Sequence, residues 1–399
     1  MNIQDKKRSP IKFFKEFLAL ESAGGILLLV ATAIALILEN SSLSEIYHHI
    51  LHLPLSFSLG SFELKHSLSH WINDGLMALF FLLVGLELKR ERVSGALSNI
   101  SQVLLPAIAA LGGMIVPALF FYSVVAHELS LVRGWAIPCA TDIAFALGIL
   151  SLIGKGVPLS LKVFLTALAI FDDLGAIIII ALFYSSSVVI EYLVLASLAL
   201  IALFLLNKRG VKALSPYLFI GAFLWFFVLK SGVHATLAGV ALALFIPYSD
   251  SSDSNEDSSP LETLEHALHP WVAFGVLPIF AIANAGVNLS VINLEILFAP
   301  VTLGITLGLF LGKQIGVVLF CYFMFIFKLA KLPEGATKLQ FYGVALLTGV
   351  GFTMSLFVGM LAFPDPTLLN EVRLGVVLGS LLSAVAGGAI LFMSNRKTA

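Results

Sequence analysis

Two adjacent aspartates, Asp172 and Asp173, stand midway along the otherwise apolar run Phe171-Asp-Asp-Leu-Gly-Ala-Ile-Ile-Ile-Ile180. A carboxylate at the bilayer centre costs about 2.5–3.5 kcal/mol on insertion scales, so an ionisable group held there is a functional candidate by default. Neighbours on a helix are turned about 100° apart, so one acid can face a cavity while the other meets a neighbouring helix. Desolvation and mutual repulsion oppose full charge on both, which poises the pair to exchange a proton for a hard cation. Sodium takes oxygen ligands, as other hard cations do. Asp172, Asp173, the Thr141 hydroxyl and freed backbone carbonyls can supply them. The competing reading is a structural pair satisfied by lysine or backbone.

Further ionisable residues sit in apolar stretches. Asp142 ends the segment Trp135-Ala-Ile-Pro-Cys-Ala-Thr-Asp142, where Pro138 lacks an N–H and breaks a helix. There it can compensate the positive ends of broken helices, the favoured reading, or bind substrate. Lys313 lies within Leu309-Phe-Leu-Gly-Lys-Gln-Ile-Gly316. A buried ammonium must be paired, so it is either a structural ion pair with an aspartate or helix end, or a proton carrier. Asp74, in Trp71-Ile-Asn-Asp-Gly75, is either a helix cap or an external entrance residue. At the other end of that span Glu87, Lys89, Arg90 and Glu91 read as a solvated, salt-bridged helix end, or with Glu262, Glu265, His266 and His269 as a pH-sensing network. His234 reads as a hydrogen-bonded structural residue, and His48, His49, His52, His66 and His70 lack metal-ligand spacing.

The elements that must position these groups are membrane spans. Of 399 residues 59% are hydrophobic and 12% charged, and mean hydropathy is +1.01. That is too apolar for a soluble domain to cover its own core. About twelve runs reach the ~20 residues that a helical span needs, and in hydrocarbon each must be helical. They fall near 18–38, 71–91, 103–125, 134–151, 158–184, 188–206, 214–229, 232–247, 267–286, 299–327, 339–363 and 370–393. The expected fold is thus an all-α polytopic membrane protein, spanning 18–393 between a basic segment 1–17 and a short tail 394–399. One set of alternate loops holds most of the lysines and arginines, which puts both termini in the cytoplasm. The cytoplasmic loop 248–262 is acidic and Ser-rich, and reads as solvated and mobile. The external loop 39–70 contains a candidate hairpin at Ser56–Leu64. Cys139 and Cys321 lie in apolar segments and suggest neither a disulfide nor a metal site. Net charge is −1, and no phosphate loop or dinucleotide fingerprint flanks a span, so no cofactor and no nucleic-acid partner is expected.

The span holding Pro138 and the one holding Leu347-Thr-Gly-Val-Gly-Phe-Thr-Met-Ser355 both look broken. They are the middle members of two three-span units, about 103–184 and 299–393, which lie an odd number of spans apart and so have opposite orientation. Inverted repeats with discontinuous helices mark a transport site.

These residues resemble a known family, the NhaA-type bacterial Na+/H+ antiporters, itself an example of such repeats, so the two readings are not independent. The resemblance covers nearly the whole chain. It rests on FFLLVGLELKRE (80–91), ATDIAF (140–145), AIFDDLG (169–175), SGVHATLAG (231–239), LEHALHPW (264–271), FAIANAGV (280–287), Gly312-Lys313 and TGVGFTMS (348–355). It implies electrogenic extrusion of Na+ or Li+ in exchange for entering protons, across the bacterial inner membrane and switched on as cytoplasmic pH rises. It carries ion binding to Asp172 and Asp173, with Na+ the metal held, and the crossing of broken helices to Thr141 and Asp142. Lys313 receives the ion-pair or proton role, and Glu87, Arg90, Glu91, His234 and Glu265 the pH response. It also implies a homodimer formed through the external loop.

Three rivals remain. An intramembrane aspartyl protease needs its two acids on facing helices rather than adjacent. A symporter of a small organic solute needs more polar groups than the broken segments offer, and a channel needs a ring of charges.

Overall fold

The computed structural model describes residues 23–59, 62–95, 100–153, 156–185, 188–248 and 259–398. The basic segment 1–17, the start of the first expected span and most of the acidic loop (249–258) lie outside the described residues.

The described residues open with α1 (Ala23–Glu39), which bends by 113° into α2 (Ser44–Leu51). The hairpin is longer than expected. Strands β1 (Pro54–Leu59) and β2 (Phe62–Ser67) pair antiparallel from Pro54↔Ser67 to Leu59↔Phe62. The chain passes from β2 directly into α3 (Leu68–Val93), and Ser67 Oγ accepts the His70 N–H at 3.3 Å as its cap. Asp74 is therefore not a helix cap; the helix begins six residues before it.

The first repeat is α4 (Ile100–Val125), a broken span, and α6 (Leu159–Phe183). The broken span is a 3-10 helix at Val132–Cys139, a non-helical stretch from the extended Ala140 to Asp142, and α5 (Ile143–Ile153). Between the repeats lie α7 (Ile190–Lys208), α8 (Leu214–Lys230), α9 (Thr236–Phe245) and α10 (Pro260–Asn284). The second repeat is α11 (Pro300–Ile326), the broken pair α12 (Lys338–Leu347) and α13 (Phe352–Ala362), and α14 (Pro366–Thr398). A capping box between Thr337 and Gln340 starts α12. Each expected span meets a helix, with two departures. The expected tail 394–399 continues α14 as far as Thr398. The segment at 232–247 yields a helix of only 10 residues, about 15 Å or half the hydrocarbon core. Gly232, at φ 83°, turns the chain before it. Among the described residues nine helices are long and apolar enough to cross a membrane, or ten if α1 and α2 count as one bent span.

Small residues let the repeats approach closely. A Cβ on Gly316 of α11 would stand 2.1 Å from the Gly112 carbonyl oxygen of α4, and one on Gly312 would stand 2.7 Å from Pro117 Cα. Gly308, Gly312 and Gly316 thus form a small-xxx-small stripe at the crossing, where packing rather than water exclusion holds membrane helices together. The second break has the same cause. A Cβ on Gly349 would meet the Leu309 carbonyl oxygen at 2.3 Å, and one on Gly351 would meet the Ala140 carbonyl oxygen at 3.0 Å. These glycines admit neighbouring backbone as well as weakening the helix. A separate apolar cluster joins Leu82 and Leu86 of α3 to Leu203, Tyr217, Leu224 and Leu242 of α7–α9.

Candidate functional site at the crossing of the broken helices

The breaks at 140–142 and 348–351 meet in the middle of the fold. The Asp142 N–H donates to the Val350 carbonyl at 2.7 Å. Asp142 Oδ1 accepts the Phe145 N–H of α5, the helix that follows it, at 3.0 Å. Its Oδ2 accepts the N–H and hydroxyl of Thr353, in the first turn of α13, at 3.1 and 2.5 Å. One buried carboxylate therefore serves the starts of two short helices, where unpaired N–H groups concentrate positive charge.

Lys313 holds the opposite kind of end. It is fully buried, and Nζ donates to the carbonyl of Cys139, the last residue of the 3-10 half-helix, at 2.5 Å. It also donates to Asp172 Oδ2 at 2.7 Å. A π-turn, Gly308–Gly312, precedes Lys313 and closes with the Lys313 N–H on the Gly308 carbonyl. The extra residue in such a turn re-aims the side chains beyond it, and such turns are frequent at functional sites.

Asp172 is thus gripped on one oxygen only. Oδ2 also lies 2.6 Å from Thr141 Oγ1, which is 2.9 Å from the Thr348 carbonyl. That hydroxyl has one proton and two acceptors, so its orientation can follow the charge on Asp172. Oδ1 is buried and has no hydrogen-bond partner among the described residues. Asp172 also borders a cavity of about 10 Å³ lined by Met114, Ala136, Cys139, Ala140, Ala176, Ile179 and Val358, room for about one water. Asp173 is 4% exposed and accepts no hydrogen bond from a described residue. The charges that act on it are those of Asp172, Glu87, Asp142 and Lys313.

The remaining sequence-predicted residues fall in two other places. At the far end of α3, Arg90 pairs with Glu91 at 3.0 Å and with the buried Glu265 of α10 at 3.2 Å. Glu87 feels Glu265, Arg90 and Glu91 and in turn acts on Asp173. The patch is therefore partly buried rather than a solvated helix end. Lys89 stands apart from it, donating to the Leu244 and Ile246 carbonyls at the end of α9. His234 lies at the opposite end of α9, with Nε2 2.7 Å from the Tyr184 carbonyl, so the structure does not bring it to Arg90 and Glu265. Asp74 sits in a π-turn, Trp71–Leu76, paired with His70 Nε2 at 3.0 Å. No group of three His, Cys, Asp or Glu that could hold a metal occurs among the described residues.

Sequence reasoning gave no role to Thr353, Ser355 or Tyr184. Ser355 Oγ donates to the Ile137 carbonyl at 2.8 Å, bridging the two broken spans, and Tyr184 Oη donates to the Arg133 carbonyl at 2.5 Å. The hydroxyl residues beside the second break were the signal for the first two; Tyr184 carried none.

A family model described as Na+/H+ antiporter 1 matches residues 15–391. The chain is 54% identical over 377 residues to the Na(+)/H(+) antiporter NhaA of Psychrobacter cryohalolentis, covering 94% of each chain. It is 54% identical over 381 residues to the protein of the same name in Campylobacter concisus, covering 95% of this chain and 93% of that one. Against its namesake in Pelagibacter ubique it is 54% identical over 387 residues, covering 97% and 98%.

Proposed function

The chain belongs to the Na+/H+ antiporter 1 family, and on that premise we propose that sodium and protons compete for one site built on Asp172 and Asp173. The protein is a sodium/proton antiporter, a secondary transporter that crosses the bacterial inner membrane many times. The organic-solute symporter finds no support: the relatives are named for sodium and protons, and the cavity at Asp172 holds about one water.

One observation carries the site assignment. Among the described residues, Asp172 keeps one buried oxygen without a hydrogen-bond partner while Asp173 beside it accepts no hydrogen bond. Together with Thr141 and the carbonyls of the breaks, these oxygens suit a dehydrated sodium ion. Lys313 competes with the cation for Asp172, and Asp142 balances helix ends. In the proposed cycle the pair deprotonates toward an alkaline cytoplasm and takes sodium from it. The repeats 100–183 and 300–398 then move as a core against the other helices, and external protons displace the ion. Two carboxylates for one sodium support electrogenic exchange, and lithium, an equally hard cation, enters the same site. Both termini are assigned to the cytoplasm, and Asp74 to the external entrance. The hairpin β1–β2, each strand with one open edge, supports pairing of two copies through the loop 39–70.

Shared occupancy has a kinetic signature. In everted vesicles the KM for sodium should rise about tenfold per pH unit for each competing proton as pH falls, while the maximal rate holds. A KM independent of pH, with only the maximal rate falling, would exclude a common site.

The Arg90–Glu265 pair, with Glu87 and Glu91, is proposed as the cytoplasmic pH-responsive network; His234, hydrogen-bonded to the Tyr184 carbonyl at the other end of α9, is left out of it. Removing the guanidinium makes ionising the neighbouring carboxylates costlier. Arg90→Ala should therefore move the midpoint of alkaline activation up by at least about half a pH unit. An unmoved midpoint in folded protein would return this cluster to a structural role.

A further inference from the structure

We infer that Gln314 and Tyr342 form a positioning pair that holds the π-turn before Lys313 and so sets how firmly Lys313 grips Asp172. The inference rests on the proposed role of Lys313 in the ion site.

The turn Gly308–Gly312 aims Lys313, and a π-turn breaks the regular ladder of backbone bonds. Gln314, directly after Lys313, is 6% exposed and turns its amide back on that turn, with Nε2 donating to the Phe310 carbonyl at 2.6 Å. The other end of the amide is held as well, by Tyr342 Oη, which donates to Gln314 Oε1 at 2.6 Å. Tyr342 belongs to α12, the half-helix that leads to the Thr348 carbonyl beside Thr141. The pair therefore ties the lysine-bearing turn of α11 to the broken helix that forms the opposite wall of the site.

The surroundings give these bonds weight. The two side chains border a cavity of about 290 Å³ whose other walls are Ile315, Val318, Leu319 and Tyr322. Apart from the Tyr322 hydroxyl these walls are apolar, and a freed amide or hydroxyl facing hydrocarbon is costly. With the pair intact, Lys313 Nζ reaches both the Cys139 carbonyl and Asp172 Oδ2. With it broken, the π-turn can relax toward regular helix, which rotates Lys313 away from the aspartate. Loss of a positive charge beside Asp172 favours both competing cations.

Tyr342→Phe and Gln314→Met remove the hydrogen bonds at nearly constant volume, and Tyr342→Phe deletes a single oxygen from a side chain already 38% exposed. Sodium-dependent proton exchange is measured in everted vesicles for both variants, the double variant and Lys313→Met, with thermal stability in detergent as the folding control. Each single variant should lower the KM for sodium at alkaline pH at least about threefold, roughly 0.65 kcal/mol, and raise the pH of half-activation, with the maximal rate within about twofold. The double variant should shift no further than the larger single one, because the two residues act as one unit. Unshifted KM and pH midpoint, a change in maximal rate alone, or additive shifts would each overturn the inference. Lys313→Met separates the two levels. If it moves neither KM nor pH midpoint, the proposed role of Lys313 fails; if it moves both while Tyr342→Phe and Gln314→Met do not, only the positioning pair fails.

Discussion

Asp173→Asn is expected to reduce sodium-driven proton movement at least about 100-fold, a loss of roughly 3 kcal/mol of ion binding, without lowering thermal stability. Among the described residues, charge of its own sign acts on Asp173 from Asp172, Glu87 and Asp142, and Lys313 opposes it. Neutralising it with an amide of the same shape relieves repulsion inside the fold while removing the oxygen charge that attracts sodium. Asp172→Asn should abolish exchange as well, but by a different energetic route. It leaves the fully buried Lys313 ammonium without its carboxylate at 2.7 Å. Removing one member of a buried pair costs about 3–5 kcal/mol. The two aspartates are thus distinguished by melting temperature: Asp172→Asn lowers it and Asp173→Asn does not. Undiminished exchange in either variant would take that residue out of the ion site, and a large melting loss in Asp173→Asn would make it a structural residue.

Much of this arrangement was legible in the sequence because hydrocarbon permits so few alternatives. A backbone without water must be helical, so long apolar runs became spans and the Pro138 break stood out. Two acids at 172 and 173 in such a run drew attention for the same reason. Other features depend on packing between distant segments and leave no local trace. The π-turns at Trp71–Leu76 and Gly308–Gly312 carry no compositional mark, yet the second aims Lys313. The apolar run at 232–247 looks like a full span, but Gly232 turns the chain and only ten residues become helix. Thr353 reaches Asp142 across 211 positions of sequence, and Lys313 reaches Cys139 across 174. Hydropathy shows that such groups are buried; only packing shows what they hold.

Asp142 is where that difference has the largest consequence, because its residue type fits either a sodium ligand or a counter-charge for helix ends. Its oxygens are already committed to Phe145 N–H, Thr353 N–H and the Thr353 hydroxyl, and it is 2% exposed. Asp142→Ala would strand these donors at the starts of α5 and α13, each at about 1–3 kcal/mol. Thermal stability should therefore fall by at least about 3 kcal/mol, with transport lost as the crossing opens. Asp142→Asn keeps one acceptor oxygen but turns an N–H₂ donor toward Thr353 or Phe145, so it should fall between wild type and Asp142→Ala in stability. The decisive quantity is the KM for sodium in whatever exchange Asp142→Asn retains. A counter-charge that orders two helix ends lowers the number of competent molecules and leaves that KM within about twofold of wild type. A KM raised tenfold at unchanged melting temperature would instead put Asp142 among the ligands of the ion, and the helix-end assignment would be wrong.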